Sequence, residues 1–541
     1  MRATMTSPAT LTVNGVDHAL EERATTASLL DTLRALGLTS VKDGCAPQGQ
    51  CGCCTVWVDD KPRVACVTPT ARVLGRSVTT LEGVDPSRRA VWVDAFLAAG
   101  ASQCGFCTPG ILMRLIGTFD RPQPTNADND VRRALLAHQC RCTGWQPIVQ
   151  AARADLETPL STAGAAPAAS QRASLESRCP QRIDADTVMG CGGFSCDLDP
   201  AGFVARRDEA GDWQISTDTA TAREAWPRVQ GRNPTWRSAP PLEPPAGSWD
   251  LVLATSWVDA CATEPASSFC AAGAKPSSPA ANGGSFGSKS DGSIEQVARE
   301  LATTTQQSLT ASETREDELR RGPKRPPLSL GISWSGQGVV HVPDIDGIES
   351  LVALHLPHVR VQRVVVAGPP ISLTLRSAVS AEMAAIAAVL HAVGEGHDPT
   401  RHEHATTWST PRGAVSVHDS PALSVMADAT ATVQIHDGIV HVFADAGEIG
   451  HKPTARSYIT GAVHHALGMV LSERLTVDSS AVVHSLSLRS LGILRAVDMP
   501  TIHIEFAEST GSARALGDAV FSATLAATWW ATGLGPTWPV L

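Results

Sequence analysis

The stretch CAPQGQCGCCTV, Cys45 to Val56, places four cysteines within ten positions, beside Gly44 and around Gly49 and Gly52. With Cys66 it reads C-x5-C-x2-C-x11-C, a set of Cys45, Cys51, Cys54 and Cys66. Glycines let a backbone curl closely round a buried inorganic core and turn amide N–H groups toward its sulfurs. Three thiolates from a loop and one from a following strand is the plant-type [2Fe–2S] arrangement, here one residue longer between the first two ligands. Cys53 falls between two members of the set, so its side chain is expected to point away as a free thiol.

The flanks of this loop read as a small mixed α/β unit. Before it, TLTVNGVDHAL alternates apolar and polar residues around Asn14-Gly15, a hairpin signal. TASLLDTLRALG follows with an apolar helical stripe. After the loop, TVWVDDKPRVACV reads as a second hairpin. From Pro86 the pattern becomes helical: RRAVWVDAFLAAG, then TPGILMRLIGTF with Thr108 as expected N-cap and Pro109 at the first helical position, then TNADNDVRRALLAH and GWQPIVQAARADLE. Four short helices with short connections predict a compact bundle.

That bundle carries a second set. QCGFCTPG and QCRCTGW supply Cys104, Cys107, Cys140 and Cys142, each pair just ahead of a predicted helix. A helix N-terminus favours negative charge, which suits an anionic tetrathiolate cluster. Taken singly, either pair could be half a zinc site or two buried thiols. Two four-thiol sets in tandem favour iron–sulfur chemistry.

Residues 158–178, TPLSTAGAAPAASQRASLESR, are small, polar and without periodicity, and are expected to form a linker. Residues 179–541 are mixed strands and helices. Two low-complexity breaks, AAGAKPSSPAANGGSFGSKSDGS and LATTTQQSLTASETRED, divide the first half of that region. The expected domains are therefore 1–85, 86–157 and 179–541 around the 158–178 linker. The fold class is multidomain α+β: a ferredoxin-like β-grasp domain, a four-helix [2Fe–2S] bundle and a mixed α/β region.

Composition agrees with a folded protein of several cores: 43% of the 541 residues are apolar and 18% charged. A net charge of −10 with no Lys/Arg-rich run argues against nucleic-acid or anionic-membrane partners. The opening MRATMTSPATLTVNG has neither an apolar signal core nor a twin-arginine pair. AVFSATLAATWWATGLG (Ala519–Gly535) is interrupted by Ser, Thr and Gly, and reads as a buried helix. A cytoplasmic location is the expectation, where clustered thiols mean metal or redox chemistry more often than disulfides.

The tandem motifs GCAPQGQCGCCTV and QCGFCTPG…CRCTGW resemble the iron–sulfur subunit of the molybdenum hydroxylases, the family of xanthine dehydrogenase, aldehyde oxidase and carbon monoxide dehydrogenase. The resemblance covers residues 9–157. It implies two [2Fe–2S] clusters, the second lying nearer the molybdenum and the first nearer the flavin. The later region resembles an abridged molybdenum-cofactor subunit of the same family. Its segments GCGGFSCDLDPAGFVA, TSWVDACATEPASSF, NGGSFGSKSDGSIEQVARELA, VHVFADAGEIGHKPTARSYITGAVHHALGMVLSERL and RSLGILRAVDMPTIHIEF occur in the family's order.

By that likeness the NGGSFGSK loop, with Gly283, Gly284, Phe286 and Gly287, lies near a molybdopterin. Its glycines would allow N–H groups to face a phosphate or an oxo ligand, or the stretch is a plain solvent loop. His465 stands where the family has a cofactor-binding Gln. Asp518 stands where the family has its catalytic Glu, one methylene shorter. The family's long substrate-facing segment after GPKRPP is missing. The resemblance thus implies an oxidoreductase, active within a complex, that oxidises a small heterocycle or aldehyde. It admits a molybdopterin here and leaves FAD to a partner, since the 158–178 stretch has no room for a flavin domain. The partners implied are a flavin subunit, a full-length molybdenum subunit, or both. The alternative is a non-catalytic electron-transfer and docking chain. The histidines of GHDPTRHEH read as an exposed loop, and Trp529-Trp530 as packing.

Overall fold

The computed structural model describes residues 9–45, 47–154, 165–225, 238–401 and 403–540. The hairpin expected around Asn14-Gly15 forms with Val13 opposite Val16 and positive φ at both turn residues, 52° and 79°, as a two-residue primed turn requires. Its inward residues Leu11, Val13 and Leu20 are buried. The sheet has five strands in the order Val16–Leu20, Ala9–Val13, Ser77–Thr79, Thr55–Val58, Lys61–Val64. Ala9–Val13 and Ser77–Thr79 are parallel, and the other neighbours antiparallel. The helix Leu29–Ala35 starts at Ser28, whose hydroxyl accepts from the Asp31 amide, and buries Leu29, Leu30 and Leu33. The cysteine loop is the return from this helix to the sheet.

Four helices follow: Pro86–Ala99, Thr108–Ile116, Asp128–Ala134 and Gln146–Ala152. Asp85 caps the first by accepting from the amides of Ser87 and Arg88, and Gly100 closes it in the left-handed region. Thr108 is not the cap of the second. It is the first helical residue, and its hydroxyl is 2.9 Å from that of Ser102, leaving Cys107 at the cap position.

Within the stretch read as a linker, residues 158–164 lie outside the described residues, and Ala165–Ser177 is a helix. It buries Ala169 and Ala173 beside Ile183 and Tyr458, and its Arg172 pairs with Glu176. The alanines that make it look featureless are good helix formers, and a tertiary contact supplies the burial that the sequence pattern lacks. The second supposed low-complexity break is also ordered. It holds the end of the helix Ser293–Thr305, the strand Leu309–Ser312 and the helix Arg315–Arg321, which opens with a Thr314–Asp317 capping box.

The later region is built on a four-stranded sheet (Ser267–Cys270, Leu309–Ser312, Phe203–Arg207, Trp213–Ser216), a five-stranded sheet running from Val359–Val364 to Thr537–Trp538, and a second four-stranded sheet from Leu423–Met426 to Ile502–Phe506. Three apolar helices, Ser380–Gly394, Lys452–Leu471 and Gly517–Ala531, form its core. Every residue from Ala519 to Ala531 is buried, in agreement with the sequence pattern. Among the described residues no helix is long and apolar enough to cross a membrane.

Candidate metal centres

The first thiol set sits in a dry hollow. Cys45, Cys51 and Cys54 come from the loop, and Cys66 from the turn Ala65–Val67 behind the strand Lys61–Val64; all four are buried. Left-handed Gly49 and Gly52 bend the loop around them. Amides point at the sulfurs: Gln48 N–H donates to Cys45 Sγ at 3.1 Å, and Cys66 N–H to Cys54 Sγ at 3.4 Å. Hydrogen bonds from Cys51 and Cys66 hold the Cys45 thiol well below the ordinary thiol range, while sharing that proton network pushes Cys51 and Cys66 up. A metal bound here would have to displace the protons on these thiols, since the thiolate is the ligand.

The second set forms at two helix starts. Cys104 and Cys107 precede Thr108–Ile116, and Cys140 and Cys142 precede Gln146–Ala152. Cys142 Sγ lies 3.6 Å from Cys104 Sγ, and Cys107 shares a hydrogen bond with Cys140. That bond, with the Thr143 hydroxyl 3.2 Å away, brings the Cys140 thiol down to about 7. Trp145, fully buried at a φ of 71°, turns the chain from Cys142 into the helix.

Both sets fit a [2Fe–2S] cluster by donor chemistry. Each offers four buried thiols converging from two chain segments, with N–H or O–H donors aimed at sulfur. The sets are neighbours. The Gln139 amide donates to the Cys51 carbonyl at 2.8 Å, so one hydrogen bond and one residue separate Cys51 from Cys140. A methyl on Gly110 would overlap the Gly52 carbonyl and come within 2.8 Å of the Cys53 backbone, which explains the glycine in the second set's helix. Sequence reading misses three participants: the Thr143 hydroxyl, the Gln139 bridge and Cys53. Cys53 is the free, buried thiol that the spacing predicts, but its sulfur lies against that of Cys51 instead of facing away. Alternation along a loop is a poor guide where Gly52 reverses the backbone.

The later loop meets the second set. A methyl on Gly284 would lie 2.9 Å from Cys104 Cβ, 3.0 Å from its sulfur and 3.6 Å from Cys142 Sγ. A methyl on Gly283 would lie 3.1 Å from the Gln181 amide nitrogen, and one on Gly287 would overlap the Thr374 carbonyl. Phe286 packs on His465, ring centroids 4.4 Å apart, and His465 Nε2 donates to the Arg141 carbonyl at 2.9 Å. Burial, then the charges of Arg141 and Arg376, keep that imidazole neutral. Asp518 lies at the start of the helix Gly517–Ala531, where Arg178 holds it at 2.7 Å and Arg376, whose amide donates to the Phe286 carbonyl, at 3.5 Å.

Phe286 and His465 do line a small cleft, shared with Arg141, Arg325, Arg376 and Glu473. Its charges are already spoken for, Arg141 by Glu473 and Arg325 by Glu382. Gly283 is buried, Gly284 and Gly287 are half-buried, and the Asp518 carboxylate is tied by two arginines. No chemical step is derived through a molybdopterin.

Comparison with known proteins follows the same division. A family described as a 2Fe-2S iron-sulfur cluster binding domain matches residues 11–70, and one described as a [2Fe-2S] binding domain matches residues 80–153. The chain is 39% identical over 140 residues to a xanthine dehydrogenase iron-sulfur-binding subunit of Escherichia coli O157:H7, covering 26% of this chain and 87% of that one. It is 40% identical over 132 residues to a nicotinate dehydrogenase small FeS subunit of Eubacterium barkeri, covering 24% and 82%. Over 149 residues it is 46% identical to an aldehyde oxidoreductase of Megalodesulfovibrio gigas, covering 26% of this chain but only 16% of that protein's length. In fold, it resembles the aldehyde oxidoreductase from Desulfovibrio gigas across 97% of both chains, with a TM-score of 0.65 at 15% identity.

Proposed function

This chain belongs to the molybdenum hydroxylase family, and on that premise we propose that it is the iron–sulfur electron-transfer component of an oxidoreductase complex. The observation that carries the proposal is the pair of buried four-thiol sets joined through Gln139 and Cys51. Cys45, Cys51, Cys54 and Cys66 would hold one [2Fe–2S] cluster, and Cys104, Cys107, Cys140 and Cys142 the other. Such a cluster accepts and returns one electron. The chain's own part is to exclude water, to point the Gln48 and Cys66 amides at sulfurs that gain charge on reduction, and to fix the two sets side by side.

The ion pairs that already engage Arg141, Arg325 and Asp518 favour the docking form of this reading. Electrons then come from a separate molybdenum subunit that oxidises a small heterocycle or aldehyde. They enter at the second set, pass to the first, and leave to a flavin subunit. The clustered thiols suit the reducing cytoplasm. Anaerobically purified protein should hold about four irons per chain, two for each centre, and no molybdenum. Reduction should give two distinct EPR signals. A folded, colourless and iron-free protein would overturn the proposal, and stoichiometric molybdenum would overturn its docking form.

A further inference from the structure

Five thiols, not four, surround the first centre. The hydrogen-bonded sulfurs form an open chain: Cys53 touches Cys51, Cys51 touches Cys45, Cys45 touches Cys66, and Cys66 touches Cys54. Cys53 is thus an end member, next to the Cys45–Cys51 half of the set. Gly44 gives independent evidence of direction. A methyl placed there would lie 3.0 Å from Cys51 Sγ and 3.1 Å from Cys53 Sγ, so both sulfurs face the same small hollow. Cys53 is 1% exposed and forms no disulfide, and its sulfur contacts the Cys51 carbonyl at 3.7 Å. A rotation of about 120° about its Cα–Cβ bond exchanges one staggered position for another, with the backbone left in place.

We propose that Cys53 is a reserve ligand of the first centre, able to take the place of Cys51. The inference rests on the [2Fe–2S] reading above. In such an exchange the Cys53 thiol would give its proton to Cys51 and supply the thiolate that Cys51 had supplied. No electron is transferred and no co-reactant is needed. The consequence is a centre that survives transient loss of one ligand without releasing iron.

The test compares full-length native protein with Cys51→Ala, Cys53→Ala and the double variant, all purified anaerobically. Native protein with no iron would sink the cluster reading itself. Given about four irons in the native chain, C51A is expected to keep about four, with the first EPR signal altered in g-values and the second unchanged. The double variant is expected to fall to about two. If C51A also falls to about two while the second signal persists, the reserve role is wrong. Should C51A fail to fold, C53A decides: iron loss from its first centre to a chelator should be several-fold faster than in the native protein, and equal rates would overturn the proposal.

Discussion

Arg141 and Glu473 form a two-pronged ion pair, both contacts at 2.6 Å, with side chains 3% and 2% exposed. Arg141 stands between Cys140 and Cys142, and Glu473 follows the long helix Lys452–Leu471, so the pair fastens the second set to the later region. The Arg141 Nε also donates to the Ala260 carbonyl at 3.2 Å. Removing one partner strands a buried charge, at a cost of about 3–5 kcal/mol, whereas replacing both with apolar residues costs far less. Glu473→Gln is therefore expected to lower the thermal midpoint and broaden the second EPR signal. The double change Arg141→Met with Glu473→Leu should recover much of the lost stability, which a double-mutant cycle measures.

The contact between Gly144 and Gly461 sets the same interface at closer range. A methyl on Gly461 would overlap the Cys142 carbonyl, and one on Gly144 the Thr460 carbonyl. Gly461 lies inside a helix, where alanine would otherwise be favoured. Gly461→Ala should nevertheless push the helix off the second set. The expected result is iron falling from about four to about two per chain, with the first signal intact. Full iron and two native signals would show that the helix can shift at no cost to the centre.

What the sequence reveals and what it hides divide along local and non-local lines. The Asn14-Gly15 hairpin, the helices and the convergence of eight cysteines rest on short spacings whose geometry is nearly fixed by backbone rules. The side of the loop on which Cys53 lies depends on the reversal at Gly52, which packs against His138 from the next domain. The helix Ala165–Ser177 depends on burial against Tyr458, nearly three hundred residues on. Asp518 looks free for base chemistry in the sequence because Arg178 and Arg376, which hold it, come from distant segments.

Glu313 predicts a pH dependence away from both centres. Its carboxyl is pushed up to about 7, chiefly by burial, which outweighs the opposing pull of Arg207 at 3.0 Å. The folded protein therefore holds this proton where the unfolded chain, at an ordinary value near 4.5, has lost it. Below pH 4.5 the group's favourable contribution is complete, and it is lost as pH rises from there through 7. At about 1.4 kcal/mol per pKa unit the loss is a few kcal/mol at most. Glu313→Gln should flatten the fall in thermal midpoint between about pH 5 and 7. An unchanged slope in that variant would assign the fall to other groups.

Asp518 offers the sharpest test of the docking reading, since it is one methylene shorter than the residue expected there. The carboxylate is only 22% exposed and is engaged by Arg178 and Arg376, and the glycines that would cradle a pterin face Cys104, Gln181 and Thr374 instead. Lengthening the side chain moves one carboxylate and opens none of these contacts. Asp518→Glu, made in cells supplied with molybdate, should carry the same iron as the native chain and no molybdenum by elemental analysis. Its thermal midpoint should change little, since partly exposed ion pairs are worth about 0–1 kcal/mol. Stoichiometric molybdenum in this variant would mean that the glycine loop opens readily, and that the single residue at position 518 had kept the site empty.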